Sequence, residues 1–177
     1  MPVSAHDVAR SLRERLPDAG QKKLHKLLHY CQAWHVVHYG TPMFDETIRA
    51  YQHGPVVSTL WADEKYGRPL PVPLHLTGTH LDIISYVLDR YGHMSGWELE
   101  QLSHGERPWV SAYANAAWDD EITIESIRAF YSEDRDYQSS RRPVRRIVSL
   151  ESYEPDALVF EQLAALANGE RILDLPS

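Results

Sequence analysis

The sequence predicts a compact, mainly α-helical domain with a short β element and a C-terminal arm or helix. Apolar residues recur at helical spacing through most of residues 1–133, and capping residues and glycines separate these segments. The chain then becomes arginine-rich after Glu133 and acidic after residue 150. We therefore expect a helical domain at residues 1–133, a basic linker at 134–150 and an acidic amphipathic tail at 151–177.

Capping residues mark the ends of the first two helices. Ser4 is typical of an N-cap, and residues 17–20 contain the Pro and Gly that end a helix. A second helix is predicted from about Gln21 to Tyr39, with Gly40 beyond its last turn. We expect this helix to bury one stripe and to expose a flank from His25 to His29.

The same signals predict the remaining elements. Alternation between Met43 and Gln52 predicts one short strand or an extended loop. Pro55 is predicted to be the first residue of a helix that reaches about Lys65. Four further helices are predicted: one opened by Thr79 and closed by Gly92, one capped by Ser95 with Glu98, one that begins at Pro108 and one that contains Ile127.

Composition limits the classes of function. The net charge of −7 argues against nucleic-acid binding through a broad basic surface. No apolar run reaches the roughly 18–20 residues of a membrane span, and the first residues carry charges where a signal peptide has an apolar stretch. The single cysteine, Cys31, fits a reducing compartment. We expect a cytoplasmic protein without membrane or nucleic-acid partners.

One row of the second helix raises the hypothesis of a metal-dependent hydrolase. Cys31, His35 and His38 share this row, and His104 would be the ligand from elsewhere. In the alternative, Cys31 is a small buried thiol and the histidines are hydrogen-bonded residues of the core or its rim. Motifs of phosphate-binding loops, dinucleotide-binding folds and serine hydrolases are absent. We expect no catalytic residue, no metal or other cofactor, and no enzymatic activity.

An arginine cluster follows the helical domain. Its members are Arg141, Arg142, Arg145 and Arg146. One hypothesis is a DNA-binding regulator that uses this arm, and another is contact with a protease or a second partner. Because Pro143 prevents a regular basic helix, a solvated arm paired with the acidic tail is the alternative.

Three sequence blocks occur in a specific order and spacing. They are KLHKLLHYCQAWHVVHYGTPMFDETIRAYQHGPVV, LDIISYVLDRYGHMSGWELEQLSH and SHGERPWVSAY. Together they resemble the Panacea domain, a family of bacterial antitoxins that includes SocA-like proteolytic adaptors. The resemblance extends from about Gln21 to Tyr131, which is most of the chain.

The resemblance implies an antitoxin that binds and neutralises a cognate protein toxin. For SocA-like members it also implies an adaptor that delivers the toxin to a ClpXP-type protease through ClpX. Residues 134–177 lie beyond the shared blocks, and we expect them to supply specificity for the protease or the toxin.

We expect toxin binding near the Gly-Pro and Arg-Pro steps of the sequence. The prolines restrict the backbone there, and aromatic and imidazole side chains are close in sequence. Aromatic residues dominate the energetics of many protein interfaces. The candidate toxin-binding residues are His53, Gly54, Pro55, Trp61, His104, Pro108 and Trp109. The alternative is a purely structural role for all of them.

Overall fold

The computed structural model describes residues 2–68, 76–115 and 120–133. These residues form a mainly α-helical fold with one small sheet, which confirms the predicted fold class. The predicted basic linker, the acidic tail and the arginine cluster with Arg141, Arg142, Arg145 and Arg146 lie outside the described residues and stand as predictions.

Seven helices and two strands occur in the described ranges. In chain order they are α1 (Ala5–Arg15), α2 (Gln21–Tyr39), β1 (Ile48–Tyr51), β2 (Gly54–Val57), α3 (Ser58–Tyr66), α4 (Gly78–Tyr91), α5 (Gly96–His104), α6 (Arg107–Asn115) and α7 (Ile124–Tyr131). No helix in these ranges is long and apolar enough to cross a membrane.

Helix α2 is the centre of the fold. It packs against α1, α4, α5, α7 and β2, and every residue from Leu24 to Val36 is buried. The predicted exposed flank is therefore wrong, because His25 and His29 are only 2% and 1% exposed. A single sequence shows one apolar stripe, whereas neighbours cover this helix on all sides.

The capping residues behave largely as predicted. Ser4 caps α1 by accepting a hydrogen bond from the backbone N–H of His6, and Gly40 ends α2 in the left-handed conformation with φ of 73°. Ser95 and Glu98 form the predicted capping box of α5. Helix α4 begins earlier than expected, because Thr77 is its N-cap.

The expected helix start at Pro55 is wrong, because residues 54–57 form the second strand of an antiparallel hairpin. Ile48 pairs with Val57 and Tyr51 pairs with Gly54. Helix α3 begins only at Ser58. The other edge of β1 is also occupied, since the N–H of Ala50 donates to the carbonyl of Asp120 at 2.9 Å. The hairpin is therefore enclosed on both sides of β1.

A buried carboxylate ties the helices together below the hairpin. Glu106 accepts hydrogen bonds from the hydroxyls of Tyr30 at 3.2 Å and Tyr131 at 2.5 Å. Tyr30 stacks on Tyr91, whose hydroxyl accepts the indole N–H of Trp34. The pKa of Tyr131 is raised by burial and by the adjacent Glu106, so its hydroxyl remains a donor. The Glu of the His-Gly-Glu-Arg-Pro-Trp segment is thus architectural.

Candidate functional site

The turn of the hairpin is held by side chains from three helices. We call residues 51–55 the hairpin tip. The indole N–H of Trp109 in α6 donates to the Tyr51 carbonyl at 3.1 Å. His104 in α5 lies beside the backbone of Gln52 and stacks on Trp109. Lys26 in α2 donates to the Pro55 carbonyl at 3.3 Å. These contacts fix the direction of a turn that would otherwise be free to move.

Gly54 allows the tip to lie directly on α2 and α5. Its φ is 93°, a conformation that L side chains rarely adopt. A Cβ atom at this position would lie 2.6 Å from Cε of Lys26 and 2.9 Å from Oγ of Ser103. Both the conformation and the close approach therefore require glycine.

Lys26 is a buried cation beneath the tip. It is 1% exposed. Burial lowers its pKa to about 8, the carboxylate of Glu100 opposes this effect and Lys22 adds to it. Lys26 was not predicted as part of the site, because a lysine on a helix is usually solvated. The sequence signal for its burial is the set of apolar residues around it, Leu24, Leu27 and Leu28.

Glu100, which is buried, connects the tip to α2. Its carboxylate accepts hydrogen bonds from Lys22 at 2.6 Å and from His53 at 3.1 Å. Burial raises the pKa of Glu100, but the hydrogen bonds and positive charge from Lys22 and His53 outweigh it and lower the pKa to about 2. Glu100 was also missed, because its partners are distant in sequence.

An aromatic stack supports the other side of the tip. The rings of His104 and Trp109 are stacked with centroids 3.9 Å apart, and those of Trp109 and Tyr113 with centroids 4.6 Å apart. Pro108 is buried at the start of α6, where Arg107 rather than the proline is the first helical residue. Burial lowers the pKa of His104, which favours the neutral imidazole in the stack.

Trp61 joins the site through Tyr51. It lies on α3, and its ring meets that of Tyr51 edge to face at 6.2 Å. Trp61 is half-buried, and the side chain of His53 is 65% exposed. The side chains of these two residues are accessible to solvent, unlike those of most predicted site residues.

The structure thus places the predicted site residues around one turn and divides them into two kinds. Gly54, Pro55, Pro108 and Trp109 are buried, and they position the tip. His53 is exposed, and His104 and Trp61 are half-buried. Only this second group offers side chains to a partner.

Cys31 and His35 belong to the buried core, and His38 lies at its half-buried rim. Cys31 is fully buried, and burial raises the pKa of its thiol. Nδ1 of His35 lies 2.7 Å from the Thr41 carbonyl, and His35 stacks on His80. Within residues 2–68, 76–115 and 120–133, no three His, Cys, Asp or Glu side chains lie where they could hold a metal ion.

Comparison with known proteins identifies one family. Residues 24–110 match the family model described as antitoxin SocA-like, Panacea domain. The matched segment begins within α2 and ends just beyond Trp109, so it includes the hairpin and the residues that hold its tip. No curated protein and no solved structure gives a significant match.

Proposed function

We propose, from the premise that residues 24–110 of this chain are a SocA-like Panacea antitoxin domain, that the protein neutralises a cognate toxin by binding it directly. The family implies a toxin partner. The observation that supports this role is the hairpin tip, whose backbone is held by Trp109, His104 and Lys26. A turn fixed before binding loses less conformational entropy in a complex.

The exposed side of the tip is the proposed toxin contact. His53 and Gln52 are exposed at the turn. Trp61 lies near the turn because its ring contacts that of Tyr51. Gly54, Pro55, Pro108 and Trp109 act by positioning these groups. This assignment narrows the predicted interface to the residues that a partner can touch.

A second step is proposed for the toxin once it is bound. As in SocA-like adaptors, the complex would be delivered to a ClpXP-type protease. The arginines at 141, 142, 145 and 146 and the acidic stretch that follows are the proposed determinants of this step, because they lie beyond the family domain. We place this activity in the cytoplasm, where the single buried thiol of Cys31 fits a reducing environment.

No catalytic step is part of the proposal. Neutralisation by binding requires complementary surfaces and no reacting group. The metal-dependent hydrolase alternative gains no metal-ligand cluster from the described residues, and the DNA-binding alternative rests on Arg141–Arg146, which lie outside them. Binding is therefore the single function that we propose.

Growth of bacteria tests this function. The reading frame adjacent to the gene is induced alone and then together with this protein, and colonies are counted. We expect death in the first case and rescue in the second. Repeating the experiment in a host without ClpX separates delivery from sequestration: rescue that disappears there supports an adaptor. A harmless neighbour, or killing despite clear co-expression, would contradict the antitoxin proposal for that pair.

A further inference from the structure

Cations and aromatic rings form a continuous patch on α3 beside the hairpin tip. We call Tyr51, Trp61, Lys65, Tyr66 and Arg68 the cation–aromatic patch. Trp61 and Lys65 are four residues apart and therefore lie on one side of α3, and Arg68 follows the end of the helix. Gly67 ends the helix in the left-handed conformation and lets the chain turn at this point.

The members of the patch contact one another. Nζ of Lys65 lies 4.4 Å from the centroid of the Trp61 ring and 5.4 Å from that of Tyr66. The guanidinium of Arg68 lies over Tyr66 at 5.6 Å. Tyr66 is 62% exposed, and the Arg68 side chain is 60% exposed. Such contacts hold the cations against the rings and leave their outer sides in solvent.

The carboxylates of α3 contact α1, and one of them also contacts the patch. Asp63 lies 3.2 Å from Nε2 of His6, and Glu64 pairs with Arg13 of α1. Asp63 also forms an ion pair with Arg68 at 3.6 Å, and the Arg68 side chain remains 60% exposed in this pair. No carboxylate of the described residues forms an ion pair with Lys65. Glu64 is therefore engaged by α1, whereas Lys65 and the exposed part of Arg68 face solvent beside the rings.

We propose that the cation–aromatic patch binds an acidic segment of the partner protein that also carries an aromatic side chain. This inference rests on the proposed function, because the partner is the toxin. Trp, Tyr and Arg are the residue types most enriched among interface hot spots, and all three occur here. The carboxylates of such a segment pair with Lys65 and Arg68 while its aromatic group packs on Trp61 and Tyr66.

A protein segment fits this patch better than nucleic acid does. The patch has two outward cations on a chain whose net charge is −7. Binding to a phosphate backbone relies on many cations along one surface, and this patch has two. A short acidic segment requires only a few pairings and is steered by the local positive charge.

The test uses the full-length protein and a labelled synthetic peptide in which Asp and Glu alternate with Phe. Its binding is followed by fluorescence anisotropy beside a peptide with Asn and Gln in place of the acids. We expect the acidic peptide to bind, and the Lys65→Gln/Arg68→Gln variant to bind it about five- to tenfold more weakly. Higher salt should weaken binding to the wild-type protein.

Arg107→Gln is the matched control. Arg107 is also exposed, lies 5.7 Å from the centroid of an aromatic ring, that of Phe130, and pairs with Glu133, but it belongs to α6. We expect this variant to bind the acidic peptide as the wild type does. Equal binding of the neutral peptide, an equal loss in Arg107→Gln, no binding by the wild type, or preferential binding of an oligothymidylate would overturn the proposal.

The same variants separate this inference from the proposed function. If the wild-type protein rescues growth and Lys65→Gln/Arg68→Gln binds the purified toxin as tightly, the patch proposal fails and the antitoxin proposal stands. If no toxin is neutralised while peptide binding still depends on Lys65 and Arg68, the antitoxin proposal fails and the acidic-segment specificity stands.

Discussion

Lys26 and Gly54 form the most closely packed contact beneath the hairpin tip. The glycine lies on the lysine stem, and the ammonium donates to the carbonyl of the next residue, Pro55. A buried ammonium is costly because it has lost its hydration, and here it has one hydrogen-bond acceptor at 3.3 Å. The position of the tip therefore depends on a group that reduces stability when it is charged.

Gly54→Ala tests the requirement for glycine. The new Cβ would clash with Lys26 and Ser103, and the backbone would remain at positive φ, so we expect a loss of about 2–4 kcal/mol of unfolding free energy. Gly40→Ala is the control, because Gly40 also has positive φ but no atom within 4 Å of its Cβ position. Urea denaturation measures both. Equal losses in the two variants would contradict the close packing at Gly54.

Lys26→Met tests the buried charge. The pKa of Lys26 is about 8 in the folded protein against an ordinary lysine value of 10.5, so the unfolded chain holds this proton more tightly. Stability should therefore rise as pH increases through this window, by about 2 kcal/mol between about pH 7 and about pH 9.5. The variant should lack this rise when its unfolding free energy is compared with that of the wild type at both pH values. The same rise in both proteins would show that Lys26 is not the cause.

The hairpin is held by contacts between elements that are far apart in sequence. Trp109 is 58 residues from Tyr51, and Glu100 is 47 residues from His53. Local signals such as the caps at Ser4, Gly40 and Ser95 were predicted correctly because each depends on neighbouring residues. The hairpin was not.

Two predictions were wrong because they depend on contacts between residues that are distant in sequence. Pro55 is compatible with a helix start, but its strand is fixed by Gly54 at positive φ and by Lys26 beneath it. The burial of His25 follows from the strand beyond it, whose Val57 N–H donates to the imidazole at 3.3 Å. The site residues were predicted as a group because Gly-Pro and Arg-Pro steps are visible in sequence. Their separation into supporting and exposed members depends on packing and was not visible.

Trp109→Phe tests how α6 supports the hairpin. Phenylalanine keeps a ring in the stack with His104 and Tyr113 but removes the N–H that donates to the Tyr51 carbonyl. We expect a loss of about 1 kcal/mol and faster amide hydrogen exchange in the hairpin. Trp34→Phe is the control, since it removes an indole N–H bonded to Tyr91 instead. Unchanged hairpin exchange in Trp109→Phe would contradict the support role.

At the scale of the whole molecule, the family domain and the C-terminal segment have different proposed tasks. The matched residues 24–110 include the hairpin tip, helix α3 and the whole cation–aromatic patch. The arginine cluster lies beyond them. Toxin binding and delivery to a protease are therefore proposed to be separable by substitution.

Replacement of Arg141, Arg142, Arg145 and Arg146 by Gln in the full chain tests this separation. We expect toxin affinity to change less than about twofold, because the proposed toxin contact is the hairpin tip and does not include these arginines. Degradation of the toxin by purified ClpXP should fall, because the charges proposed to engage the protease are lost. Gln replacement of Arg13 and Arg15, on the surface of α1, is the control. Unchanged degradation in the cluster variant would refute the delivery role of these arginines.

The most direct test of the central claim is a calorimetric titration of the full-length protein with the purified toxin. The account predicts a stable complex with the wild type and an affinity at least about tenfold weaker for Gln52→Ala/His53→Ala. His93→Ala, which changes another exposed histidine, should bind as the wild type does. A toxin that does not bind the wild type, or that binds the folded tip variant with unchanged affinity, would contradict neutralisation through the hairpin tip.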